Sequence, residues 1–189
     1  GATLTTPTLD LVSITSTVLN GAVWKRTMIH VKSPNFLIVD DQVTQKDSKK
    51  VVQRWNVGAD RTVKTGSGRA WTLGTGTNSV FLWAGGIPTV TTVKGQKDPL
   101  LGWRSETQTQ FIPTPIVQGS RTGTSVRLTA IIVPYPAEVD PNSIKVLRSW
   151  TQPTSRLVDI AIGENAYRVI FASDSATFEP IDAPTVTVN

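Results

Sequence analysis

Apolar residues in this chain recur at every second position. Val126, Leu128, Ala130 and Ile132 share one parity, as do Val80, Leu82 and Ala84, and Leu9 and Leu11 near the start. Successive side chains of a strand point to opposite faces, so a period of two builds a strand with one face for a core. A helical period is nearly absent, and Thr, Val and Ile dominate between Gly, Pro, Asn and Asp. The stretch RTMIHVKSPNFLIVDDQV shows the pattern at its clearest. Residues 26–31 read as a strand, Ser33-Pro34-Asn35 as a turn and residues 36–43 as the returning strand.

Further strands are expected at 51–57, 70–73, 88–93, 107–112, 126–133, 144–150, 157–162 and 167–172. Turn signals separate them: Gly66-Ser67-Gly68, Gly74-Thr75-Gly76, Gly85-Gly86, residues 119–123, Asp140-Pro141-Asn142 and Gly163-Glu164-Asn165. Many short strands with regular turns read as an all-β fold, an antiparallel β-sandwich of two packed sheets. The 189 residues fit one domain. Residues 1–179 are assigned to the sandwich, and residues 180–189, with two prolines, to a C-terminal tail or linker.

Composition removes several classes of chemistry. There is no Cys, hence no disulfide framework, thiolate metal site or Cys nucleophile. One His leaves few His-based metal sites. No run has the roughly 18 apolar residues that a membrane-spanning helix needs, so no membrane partner is expected. No basic start followed by an apolar block opens the chain. It begins at Gly1, as expected of a processed or excised piece of a longer protein.

The net charge of +5 is unevenly spread. Residues 24–104 hold 13 Lys or Arg against 5 Asp or Glu, whereas residues 105–189 hold 6 against 8. A basic half points to an anionic partner: nucleic acid, a membrane surface or an acidic polysaccharide. Nothing resembles a recognition helix, an RNA-binding sheet motif or a zinc finger, so nucleic acid is not the expected partner.

No catalytic constellation stands out. A Ser-His-Asp triad would need His30, which lies in the alternating TMIHV strand with Met28 and Lys32, opposite Ile29 and Val31. Its reading is a structural or surface residue, with a ligand contact or catalytic role as the alternative. Asp40 and Asp41 are neighbours on a strand and point to opposite faces, so they cannot work as a general acid/base pair. A structural role is expected, one of them capping a bend or meeting a Lys or Arg across the sheet. The six Trp are more informative, because several adjoin cations: Trp24-Lys25-Arg26, Arg54-Trp55, Arg69-Ala70-Trp71 and Trp103-Arg104. Aromatic faces stack on sugar rings or bases, and Arg forks pair with carboxylates, sulfates or phosphates. Most of these Trp are equally readable as core between the sheets; Trp103, in a Gly-Trp-Arg-Ser loop, is poorly placed for that.

The order of these features resembles the C-terminal β-sandwich of heparinase II/III-like polysaccharide lyases. WKRTMIHVKSPNFLIVDDQV resembles that family's R-x-x-x-x-x-K-x-x-Y/F-hydrophobic-D segment. Gln53-Arg54-Trp55-Asn56-Val57 resembles its Gln-x-aromatic-His-Leu strand, and Leu101-Gly102-Trp103-Arg104-Ser105 its Gly-Trp-x-Ser loop. Residues 112–116 and 128–134 resemble the Pro-rich turn and strand that follow. The match spans residues 10–172.

The resemblance implies a sandwich packed on an N-terminal α/α toroid, which in the family carries most of the Asn, Tyr and His residues for β-elimination at uronic acids. That toroid is missing from this chain, as is a His-x-x-Asp segment that can help hold a metal, and Asn56 stands where His is usual. The expectation is therefore a non-catalytic accessory domain of a secreted lyase, extracellular or periplasmic, with no cofactor and no metal. Its partner would be an acidic polysaccharide bearing uronic acid or sulfate. Trp103, Arg104, Arg54, Trp55, Arg69, Trp71 and His30 are the candidate contacts. The alternative is a purely structural domain that supports the missing catalytic one, with its Trp in the core.

Overall fold

The alternating stretches become strands in the computed structural model, which describes residues 1–17, 21–86 and 88–182. They are β1 (Ala2–Thr5), β2 (Leu9–Thr17), β3 (Val23–Val31), β4 (Phe36–Asn56), β5 (Thr62–Gly66), β6 (Arg69–Leu73), β7 (Thr77–Ala84) and β8 (Thr89–Val93). Then follow β9 (Trp103–Ser105), β10 (Phe111–Pro113), β11 (Ile116–Pro136), β12 (Ile144–Thr151), β13 (Arg156–Ile162), β14 (Asn165–Phe171) and β15 (Ala176–Ile181). A 3-10 turn, Pro141–Ser143, stands between β11 and β12.

The large sheet runs β1-β2-β3-β4-β11-β7-β6-β5, with β8 also paired to β11. The small sheet is the meander β12-β13-β14-β15. Both are antiparallel. Their facing sides close the main core: Leu11, Ile29, Ile38 and Ile131 from one, Ile144, Ile160, Val169 and Phe171 from the other. Along β3 the buried Ile29 and Val31 alternate with exposed His30, as the period of two requires.

The large sheet also buries part of its other face. Val80, Leu82 and Ala84 of β7 face the main core, while Phe81 and Trp83 meet Ala70, Val117 and Ala130 in a second cluster. This face is covered because β5 comes into contact with β8, bringing Val63 and Val90 over it.

Four expectations are corrected. Residues 36–43 and 51–57 are not separate strands: β4 runs through both, bending where its register against β11 shifts between Gly123 and Ser125. Residues 119–123 are not a turn but lie inside β11. Gly119 is there because the Trp83 indole lies directly over it, where a Cβ would collide. Residues 107–112 give only the short β10, and the Trp103 loop is itself the strand β9 that pairs with it. At the end, β15 pairs with β14 through Ile181. Thus residues 180 and 181, assigned to the tail, belong to the small sheet, and 183–189 lie outside the described residues. The hairpin turn is where the sequence places it. Val31 pairs with Phe36, and Asn35 takes the left-handed conformation that Asn tolerates, with φ 69.

Candidate functional site

The second half of β4 makes an exposed edge. β3 covers β4 only over residues 36–44, while β11 pairs with it through Asn56. The uncovered stretch carries Lys46, Lys49, Lys50 and Arg54, all exposed. Lysines on such an edge discourage pairing with another sheet. They also form a basic strip. Lys50 and Arg54 share one face, about 13 Å apart at about 3.3 Å per residue.

Register places Gln118 beside Arg54, with Thr91 on the far side of Gln118, and Thr122 beside Lys50. Arg54 Nε donates to Gln118 Oε1 at 3.0 Å, leaving its two terminal nitrogens unbonded among the described residues. Lys46, Lys50 and Arg54 make no salt bridge among the described residues, and nor do Lys94 and Lys97 just beyond β8.

Residues 94–115 form an arm on this end of the sheet, since Val93 and Asn56 flank Ile116 in register. The arm is knit by Gly95 N–H and Thr114 N–H, each donating to Gly102 O at 2.8 Å. Trp103 is half-buried, and its Nε1 donates to Gln96 O at 2.8 Å. Arg104 is exposed and pairs with Glu106 at 2.6 Å. Phe111 and Leu100 are exposed on the same arm. Cations, polar amides and aromatic edges therefore occur together on one end of the molecule.

The remaining sequence candidates lie elsewhere. Trp55 points to the second cluster, opposite Arg54, and its Nε1 is buried without a partner. Trp71 packs against the main core, and the Arg69 guanidinium stacks over it at 5.1 Å. Arg69 Nη2 donates to Pro141 O at 2.7 Å, tying β6 to the connection between the sheets. Burial pulls the Arg69 guanidinium below its ordinary range, partly offset by Asp140 and Tyr135. His30 is exposed, with Nε2 3.0 Å from Asn35 Oδ1 at the hairpin turn. The structure thus joins Arg54, Trp103 and Arg104 at one end and leaves Trp55, Arg69, Trp71 and His30 apart from them.

Asp40 and Asp41 each meet an Arg across the sheet. Asp41 accepts from Arg26 Nε and Nη2 at 2.7 and 2.6 Å, Trp24 Nε1 at 2.9 Å and Gln53 Nε2 at 2.9 Å. Trp83 Nε1 donates to Gln53 Oε1 at 2.9 Å, so this polar chain runs into the second cluster. Asp40 faces the small-sheet side and pairs with Arg127. The site residues that sequence reading passed over are Lys50, Lys94, Lys97, Lys25, Arg127 and Arg156. Charge alone marks the first three. The others are brought together only by strand register. Among the described residues, no group of three or more His, Asp or Glu is placed to hold a metal ion, and no helix is long and apolar enough to cross a membrane.

Two antiparallel sheets packed face to face make the fold a β-sandwich. Solved structures of that fold are similar over 95% of this chain: heparan sulfate lyase HepC from Pedobacter heparinus, with a TM-score of 0.67, and a HepC mutant, with 0.66. Identity is 9% and 10%, so the likeness is one of fold. The chain spans 27% of the HepC chain. No family model matches the sequence, and no curated protein matches it.

Proposed function

We propose that this sandwich is a non-catalytic accessory domain of a polysaccharide lyase-like enzyme, and that it contacts an acidic polysaccharide carrying uronic acid or sulfate. The observation that carries the reading is the set of exposed cations at one end, Lys50, Arg54, Lys94 and Lys97, without carboxylate partners among the described residues. A polyanion is drawn to such a surface, and each sulfate or carboxylate can replace solvent at one cation. Trp103 and Phe111 offer apolar surface beside it for sugar rings.

The similarity to a heparan sulfate lyase supports the substrate class, and the 27% coverage of that lyase supports a further, catalytic domain, which the family resemblance puts N-terminal to this one. Secretion to the extracellular space or periplasm follows from the same reading. Affinity electrophoresis in gels containing heparin, heparan sulfate, hyaluronan, alginate or a neutral glucan tests it. Retardation by at least one acidic glycan, none by the neutral one, and weakening with salt are expected.

A second reading is favoured by a different observation. Trp24, Trp83 and Trp103 donate their indole N–H to the protein itself, and Arg26 and Arg69 each donate guanidinium N–H groups to it. They are scaffold, and a domain built of such residues can serve only to hold and orient a catalytic neighbour. Absence of retardation by every acidic glycan would leave this reading standing and remove the first.

A further inference from the structure

Where the two sheets meet at one end of the main core, a cavity of about 230 Å³ opens, lined by Lys25, Thr27, Asp40, Arg127, Thr154 and Ser173 among others. Lys25, Thr27, Asp40 and Arg127 come from β3, β4 and β11, whereas Thr154 and Ser173 belong to the loops that close β12–β13 and β14–β15. The space holds a group several times the size of a water molecule.

The charge around it is not balanced. The Asp40 carboxylate is committed to its neighbours. It accepts from Arg127 Nε at 2.9 and 3.0 Å, from Arg127 Nη2 at 2.8 Å, from Thr129 Oγ1 at 2.5 Å and from Gln42 Nε2 at 3.2 Å. That one anion offsets Arg127. Lys25, Arg121 and Arg156 have no salt bridge among the described residues. Arg127 Nη1 also makes no bond among the described residues.

Arg156 makes the surplus costly. The residue is 3% exposed, and only Nη1 has a partner, Thr151 Oγ1 at 2.5 Å. Nε and Nη2 are buried without one. Its guanidinium lies against Gly85, where any side chain would run into Nη2, and Arg121 approaches the same glycine from its own strand, Nη1 to Gly85 O at 3.4 Å. In register Arg156 pairs with Phe171, which lines the cavity, so its charge stands behind the cavity wall. Burial lowers the guanidinium to about 10, eased by Asp40 and worsened by Arg127 and Arg121. A buried cation without a counter-charge is a strong destabiliser, and an anion nearby relieves it.

The geometry points to an oxyanion site in this inter-sheet cavity, in which Lys25 and Arg127, with the hydroxyls of Thr27, Thr154 and Ser173, hold a sulfate or carboxylate group under the field of Arg156 and Arg121. The group is either a free ion or a substituent on a sugar ring; the chemistry is shared. The inference does not depend on the glycan contact at the β4 edge, which lies on other residues.

Isothermal titration calorimetry of the whole chain tests it with sodium sulfate, a sulfated disaccharide and a uronic-acid disaccharide, each against sodium chloride of matched ionic strength. Saturable binding of at least one oxyanion is expected, weakened about tenfold in Lys25→Met and unchanged in Lys145→Met on the far side of the small sheet. Arg156→Met should also weaken binding, with its fold checked by circular dichroism; Lys25→Met keeps the test decisive if that variant does not fold. Tighter binding of a disaccharide than of free sulfate, lost in Lys25→Met, assigns the group to a sugar chain. No saturable binding by any of the three, or equal binding by wild type and Lys25→Met, overturns the site.

Discussion

At the scale of single residues, the fold turns on a few close fits. Gly119 sits under the Trp83 indole near the start of β11, and Trp83 in turn holds Gln53, which reaches Asp41. Gly119→Ala should therefore cost about 2 kcal/mol, the range expected for forcing atoms into a packed site. The urea midpoint reads it, and an unchanged midpoint would show that the indole moves aside freely. Trp83 and Trp150 could not be told apart in sequence. One is buried at 6% exposure and the other lies on β12 at 58%, because burial depends on which strand lies alongside and which sheet lies above. Asp41 was easier to place. Adjacent acids on a strand split between faces, and the basic strand across the single hairpin turn supplied Arg26 as its partner.

At the scale of strands and sheets, the small sheet is held by charge as well as by its core. Asp159 on β13 bonds Arg148 of β12 at 3.0 Å and Arg168 of β14 at 2.8 and 3.0 Å, linking three strands. Burial opposes ionisation of this carboxyl, but the bonds and attraction of Arg168 and Arg148 outweigh it and hold it below the ordinary value of 3.8. A carboxyl whose folded value is depressed adds stability above its unfolded value and loses it as pH falls through the folded one. Asp159→Asn should thus cost about 2 kcal/mol near neutrality, and its urea midpoint should converge on that of wild type in strong acid. Midpoints that stay equally far apart in acid would contradict the ion-pair reading.

The β4 edge makes a separate prediction. Replacing Lys46, Lys49 and Lys50 together by Val should promote edge-to-edge association, seen as concentration-dependent size by light scattering. A triple variant that stays the size of the parent would show that something other than charge guards the edge. Strand existence was legible because alternation in β3, β7 and β11 matches one buried face. The continuity of β4 and β11 was not. Lys46 to Lys50 in β4 and Gly119 to Gly123 in β11 are polar or small, and only pairing between these two strands makes them strand. The cavity cations were hidden for the same reason, since Lys25, Arg127 and Arg156 lie far apart in sequence and meet through register.

At the scale of the whole molecule, the sandwich separates its tasks. The main core joins the two sheets, the Trp- and Arg-bearing interior networks fix their geometry, and the excess positive charge is displayed at the β4 edge and the arm beside it. The domain-level reading rests on the fold it shares with a lyase and on that display. Its central claim is a salt-sensitive contact between the basic end and an acidic glycan. The most direct test compares the retardation of wild type and of Lys50→Ala/Arg54→Ala in gels containing heparan sulfate, at low and moderate salt. Both residues are exposed, so the double variant should keep its urea midpoint. Loss of two surface charges should weaken binding about fivefold, at roughly half a kcal/mol each, and flatten the salt dependence. Equal retardation of wild type and variant, or none of either, would contradict the claim.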